Sequence, residues 1–321
     1  MSNITGGFTA NLSPDAVQAS IEKVMWEEYD RERQPAYLAA TDGMFFQQEP
    51  TSSYVINYDE DSNVGMFEET GEQEEIRRTN TRIGNKSSAT VLKFMKSIPI
   101  SWEAFKADKV GKREKIGKQV GDRARLTRDF EAVLNTYGDA FAGSISTTPD
   151  GDALASNSHT TLTGANVDNL DTNALAPDAL WTNVNSLANQ AAQDGDPGSY
   201  EFEGLVLPFT LFKTAREVMN STLVANSGEN NVNVFDTDYG QVTIRASVFL
   251  NSAWNSNSNA NTSYHLISRN HQIVRSVFSD LNTDLIEPKY SDTDSWEHRS
   301  RFAEVAYAGS WNGYQGSNGS A

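Results

Sequence analysis

The chain has 321 residues, with 43 Asp+Glu against 26 Lys+Arg, a net charge of −17 and no cysteine. Disulfides and thiolate metal sites are thereby excluded, and so acidic a balance argues against tight, sequence-independent binding to a phosphate backbone. No stretch approaches the roughly eighteen apolar residues of a membrane-spanning helix, and no basic segment with a following apolar run opens the chain. The expectation is a soluble intracellular product, long enough for one large or two small domains.

In chain order, Met1 to Leu12 is small and polar and reads as an arm that orders only against a neighbour. Ser13-Pro14-Asp15 then gives an N-cap, a proline at the first helical position and an acid in the first turn. Val17, Ile21, Val24 and Tyr29 line one face of that helix until Gln34-Pro35 ends it. Tyr54–Tyr58 and Ala89–Phe94 alternate like the two strand bases of a long hairpin. Between them, Asp59 to Glu75 holds eight acidic and no basic residues, and Arg77 to Lys96 six basic and no acidic ones. Few middle residues are apolar enough for burial, so the tip is expected to project; the alternative is a solvated surface loop.

A long helix is expected over about Lys112 to Phe141, with Ile116, Val120, Ala124, Thr127, Phe130, Leu134, Tyr137 and Phe141 on one face. Its first half is basic and interrupted by Gly117 and Gly121, which predicts a place to bend, and no comparable partner helix is evident. Farther on, Asp178 to Gln193 reads as a helix and Gly204–Pro208 as a short buried strand. A second helix follows over Thr210 to Asn220, then strands at Val242–Ala246 and Tyr264–Ser268. Asn251 to Ser263 is low-complexity and expected to be an exposed loop, and the end reads as a Gly/Ser/Asn tail.

The run Asp129-Phe-Glu-Ala-Val-Leu-Asn-Thr-Tyr-Gly-Asp-Ala-Phe leads into Pro149-Asp-Gly-Asp-Ala-Leu, Ser156-Asn-Ser-His-Thr and Gly164-Ala-Asn-Val-Asp-Asn-Leu. With Gly204-Leu-Val-Leu-Pro, Leu211-Phe-Lys-Thr-Ala-Arg and the late Arg299-Ser-Arg-Phe-Ala-Glu-Val-Ala-Tyr-Ala-Gly-Ser-Trp, this order resembles tailed-bacteriophage major capsid proteins, most of all the Mu-like major head subunits. The resemblance implies the α+β capsid fold of the Hong Kong 97 type. Its parts would be an N-terminal arm (1–50), an extended loop (51–98), a peripheral domain (99–170 and 270–321) with a spine helix at about 112–142, and an axial domain (171–269). It further implies self-assembly into hexamers and pentamers of an icosahedral head in the host cytoplasm. Implied partners are a separate scaffolding protein, a portal, a decoration protein and packaged double-stranded DNA without sequence specificity, with no membrane. The charge suits a DNA container: from Asp129 onward eight Lys+Arg face twenty-three Asp+Glu, so the wall would not hold the polymer. Some relatives weld subunits through a lysine–asparagine bond; Lys86 lies in the loop, but no partner or catalytic glutamate can be matched.

Little in the residues supports catalysis, a cofactor or a metal, and none is expected. His159, His265, His271 and His298 form no His-Glu-x-x-His pair. Ser158 and His159 are adjacent without a Gly-x-Ser-x-Gly elbow. Gly111 and Gly117 miss phosphate-loop spacing, and Gln119 holds its Ser/Thr position. Acidic clusters at Asp59-Glu-Asp, Asp150-Gly-Asp, Asp236-Thr-Asp and Asp292-Thr-Asp lack the closing glutamate of a calcium loop. Two alternatives stay open: an encapsulin-like compartment shell with the same fold, and a hydrolase using His159 and the Asp150 pair.

Overall fold

The computed structural model describes residues 14–31, 34–62, 64–67, 69–72, 81–101, 112–222, 233–286 and 295–319. The arm at 1–12, the hairpin tip at 73–80 and Asp292-Thr-Asp lie outside them. In chain order the described elements begin with helix α1 (Pro14–Tyr29), strands β1 (Gln47–Pro50), β2 (Val55–Asp61), β3 (Ile83–Thr90) and β4 (Leu92–Ser101), and the long helix α2 (Lys112–Val133). Short strands β5 (His159–Thr160), β6 (Asn166–Val167) and β7 (Leu170–Asp171) precede α3 (Pro177–Ala188), β8 (Gly204–Pro208), α4 (Phe212–Asn220) and α5 (Val234–Asp238). Last come β9 (Thr243–Ser247), β10 (Tyr264–Ile267), β11 (Ile273–Ile286), β12 (Ser295–Ala308) and β13 (Tyr314–Ser317).

Two compact units divide these elements: residues 1–32, 93–127 and 279–303 form one, and 33–92, 128–278 and 304–321 the other. In the first, α1 buries Ile21, Met25 and Tyr29, one residue per turn. Met25 and Tyr29 pack with Val120 and Ala124 of α2, Leu281 of β11 and Phe302 of β12. Tyr29 also donates its hydroxyl to Asp280 Oδ1 at 2.8 Å, so its one polar atom is satisfied. The partner of α2 is therefore α1, which the sequence showed as a helix but not as that partner.

That packing also explains the glycines of α2. A methyl group at Gly117 would come 2.7 Å from the Ile21 carbonyl oxygen, and one at Gly121 would overlap the Met25 carbonyl. Residue 117 meets 21 and 121 meets 25, so the helices run in the same direction, backbone against backbone. These glycines are needed for close approach, a reason for them besides the expected bend. A hinge glycine changed to alanine would gain about 1 kcal/mol of helix propensity, whereas overpacking costs about 1–3 kcal/mol. Gly121→Ala should accordingly lower subunit stability, by up to about 2 kcal/mol, in urea unfolding. Gly43→Ala, with open space around it, serves as the near-neutral control.

The second unit is built on a five-stranded sheet of order β7-β13-β10-β8-β9. β8 reads as an uninterrupted apolar run because it is buried along its whole length between β9 and β10. Leu180, Val184 and Leu187 of α3 and Ala215, Val218 and Met219 of α4 pack with Leu205, Leu207 and Leu266 of this sheet. A further core gathers Phe45, Phe46, Val133, Tyr137, Leu154, Val206, Ile267 and Tyr314.

Three expectations change here. The long helix ends as a π-helical turn, Leu134–Gly138, and the loop expected to be exposed closes it: Asn255 and Asn257 both donate side-chain N–H groups to the Gly138 carbonyl. Asn255 is correspondingly buried, while Ser252, Ala253, Trp254, Ser256 and Ser258 of the same loop are exposed as expected. The terminal Gly/Ser/Asn stretch is not a tail, since β13 is fully buried between β10 and β7, with Trp311 and Tyr314 inaccessible to solvent. Helix α3 stops at Ala188, short of Gln193.

Candidate assembly hairpin and its buried anchor

Strands β2 and β3 pair antiparallel, with Val55 opposite Thr90, Ile56 opposite Ala89, Tyr58 opposite Ser87 and Asp59 opposite Lys86. Strand periodicity turns Ile56, Tyr58 and Glu60 to one face and Val55, Asn57, Asp59 and Asp61 to solvent. That inner face is fastened by rings: Tyr58 stacks on Tyr307 at 4.5 Å, and Tyr54 lies 4.4 Å from Phe278. At Gly84 the absent side chain leaves room for Leu162, which a Cβ would overlap.

The last inward residue is a carboxylic acid. Glu60 is 2% exposed, takes a hydrogen bond from Gln193 Nε2 at 3.2 Å and another from Asn85 Nδ2 at 3.4 Å. Burial pushes its carboxyl up to about 7, with the negative charge of Asp150 adding to the effect and Asn85, His159 and Gln193 opposing it. Asp150 behaves oppositely. Burial works against its ionisation, but hydrogen bonds from His159 and Thr148 outweigh burial and hold it below the ordinary carboxylate range. The sequence showed Glu60 only as a member of the Asp59-Glu-Asp cluster, although a charged residue in register with Ile56 and Tyr58 was the available signal.

Met66 N–H donates to Asp196 Oδ2 at 2.9 Å, yet the side chains of Val64 and Met66 are exposed and Phe67 is completely so. An apolar triplet in water within an acidic run is the kind of surface that marks a protein contact. Lys86 stands exposed across from Asp59.

Ser158, His159 and the Asp150–Asp152 pair do come together, but not as a catalytic device. His159 is wholly buried, stacked on Trp311. Its Nδ1 lies 2.7 Å from Asp150 Oδ2 and its Nε2 3.2 Å from the Leu154 carbonyl. Both ring nitrogens are thus engaged, while the Ser158 hydroxyl donates to Asp152 Oδ2 at 2.9 Å. The group facing that hydroxyl is the Asp152 carboxylate and not the imidazole, so the serine–histidine step required of a hydrolase is missing. Asp150, Asp152 and His159 place ligand atoms within 4.8 Å of one another, but these same internal bonds account for the grouping. The other histidines are structural too. His265 meets the Tyr314 hydroxyl at 2.7 Å and is pushed by burial down to about 3, and His271 meets the Met44 carbonyl at 2.8 Å. His298 is buried in the first unit, with its Nδ1 3.5 Å from Ser300 Oγ.

The model of a family described as phage capsid protein matches residues 84–303. Comparison with curated protein sequences gives no match. Among solved structures, the mature capsid of bacteriophage PhiM1 superposes with a TM-score of 0.55 at 15% identity, covering 90% of this chain and 89% of that one. The capsid of an empty GTA particle gives 0.54 at 10%, covering 89% and 90%. A virus-like particle from Pyrococcus furiosus gives 0.51 at 8%, covering 93% and 98%. Identities this low speak for the fold alone, the α+β Hong Kong 97 type with its long helix. The family match spans well over half of the sequence, and on that ground this chain belongs to the phage capsid proteins, structural components of the virion shell rather than enzymes.

Proposed function

We propose that the protein is the major head subunit of a tailed phage of the Mu-like group, polymerising as hexamers and pentamers into an icosahedral shell around double-stranded DNA. In this reading residues 1–50 are the arm, 51–98 the extended loop, 99–170 with 270–321 the peripheral domain, and 171–269 the axial domain. Scaffolding, portal and decoration proteins would be its partners in the host cytoplasm. The observation that carries the reading is a hairpin rooted in its own core by Tyr58 and Glu60 while Val64, Met66 and Phe67 remain in water. Such a segment finds its apolar partner on another copy, by a heterologous contact that closes into rings.

Negative-stain microscopy of the protein expressed with its neighbouring genes tests this, closed shells being the expected product. A protein that stays monomeric under those conditions overturns it, and shells filled with a cargo enzyme instead of DNA turn it toward a compartment protein. At residue level, Phe67→Asp should cut particle yield at least tenfold, since a central aromatic contact is worth about 2 kcal/mol or more per copy. Because Phe67 is exposed in the subunit, subunit Tm should stay within a degree or so of wild type.

A further inference from the structure

We propose that Glu60 is the bolt of a proton-operated latch at the root of the hairpin. With its carboxyl protonated the root is seated against residues 148–162 and 190–196 of the same unit; with the carboxylate formed beside Asp150 the root is released. The idea rests on the assembly reading only for its consequence, that a released root frees the acidic limb to reach another subunit.

Geometry supplies the parts. Glu60 is the one charged side chain on the inward face of β2, and it ends a row that starts with Ile56 and Tyr58. The β2–β3 register shifts between Asp59 and Asp61, so the ladder is irregular at Glu60 itself and holds the root least firmly there. Gly84, on the facing strand, is where Leu162 presses in. What confronts the carboxyl from each side is specific. Segment 148–162 brings Asp150 and His159, whose charges it feels. Segment 190–196 brings the neutral Gln193, with Asp194 and Asp196 beyond it. Strand β3 brings Asn85, and Lys86 is directed to the outer face opposite Asp59. A new negative charge at Glu60 therefore enters a buried site where Asp150 is already held ionised by His159. Gln193 gives that carboxyl one N–H donor and keeps a side-chain oxygen without a hydrogen-bond partner, so the amide has little further to offer a carboxylate there.

The sign follows from linkage. In the seated hairpin the carboxyl holds its proton up to about 7, and in the released one it titrates near its ordinary value. Seating is most favourable below that ordinary value. It weakens about tenfold per pH unit as pH rises to about 7, and is flat above.

Amide hydrogen exchange on the full-length protein, both as unassembled subunits and in particles, tests the latch, with rates expressed as protection factors to remove intrinsic pH dependence. From about pH 5 to about pH 7, protection of residues 55–61 and 83–90 should fall by up to about a hundredfold, while Gly204–Pro208 stays constant. Glu60→Gln, isosteric and always neutral, should keep the high protection at every pH. A wild-type profile that is flat over this range overturns the latch, as does a Glu60→Gln profile that keeps the wild-type slope. Particle formation is scored separately. A flat profile in protein that forms shells rejects the latch and leaves the capsid reading, and a sloping profile without shells does the reverse.

Discussion

His159→Ala should lower the unfolding free energy of the subunit by about 3–5 kcal/mol, the range for stripping a buried charge of its partner. The imidazole is completely buried and the Asp150 side chain only 6% exposed. Without the ring, Asp150 retains the Thr148 hydroxyl and the Asp152 N–H, and a void opens beside Trp311. Since domains are stable by only about 5–15 kcal/mol, much of the variant should misfold and particle yield should drop with it. Urea unfolding of unassembled subunits reads the loss directly. Its pH dependence carries a second signature. Asp150 is held below the ordinary carboxylate range, so its contribution is present above that range and is lost as pH falls through the depressed value. The gap between wild type and variant should therefore narrow in acid. A hydrolase would behave otherwise, losing turnover while its fold survived.

How far the fold was readable depends on the kind of signal each element carries. The long helix was legible from its period, because Val120, Ala124 and Tyr137 are buried where steps of three and four put them. The first strand of the hairpin was legible from alternation beside a charged run, but the second was not: the expected Ala89–Phe94 is split at Val91, with Ala89 and Thr90 closing β3 and Leu92 opening β4. β13 was not, because Tyr314-Gln-Gly-Ser has the composition of a linker and gains its strand only from pairing with β10 and β7. Gly117 and Gly121 were visible, but their packing role was not. Composition shows that a glycine costs helix propensity, and only the neighbouring backbone shows what the missing Cβ allows. Glu60 and Gln193 lie 133 positions apart and carry no shared motif. The His159–Asp150 pair, by contrast, came from residues singled out in the sequence, which supplied the donors but not the fact that both ring nitrogens were already taken.

Glu304→Ala should be of comparable size, about 3–5 kcal/mol, and a double variant should show why. In the second unit, Gln48 of β1 stands directly opposite Arg275 of β11. The guanidinium donates to Gln48 Oε1 at 2.7 Å and, from its other terminal nitrogen, to Glu304 Oε2 of β12. Side chains of Arg275 and Glu304 are 5% and 6% exposed, so the pair spans three strands out of reach of water. Truncating Glu304 leaves a guanidinium that cannot shed its proton and retains only a neutral amide partner. Arg275→Met with Glu304→Leu removes both charges and fills similar volume, for which the expected change is near zero or stabilising. A thermodynamic cycle over Arg275→Met, Glu304→Leu and the double variant should then give a coupling of about 3 kcal/mol or more. If the double variant is instead as unstable as Glu304→Ala, the ion pair contributes net stability to the sheet, and burial of two charges between β1, β11 and β12 is better than break-even.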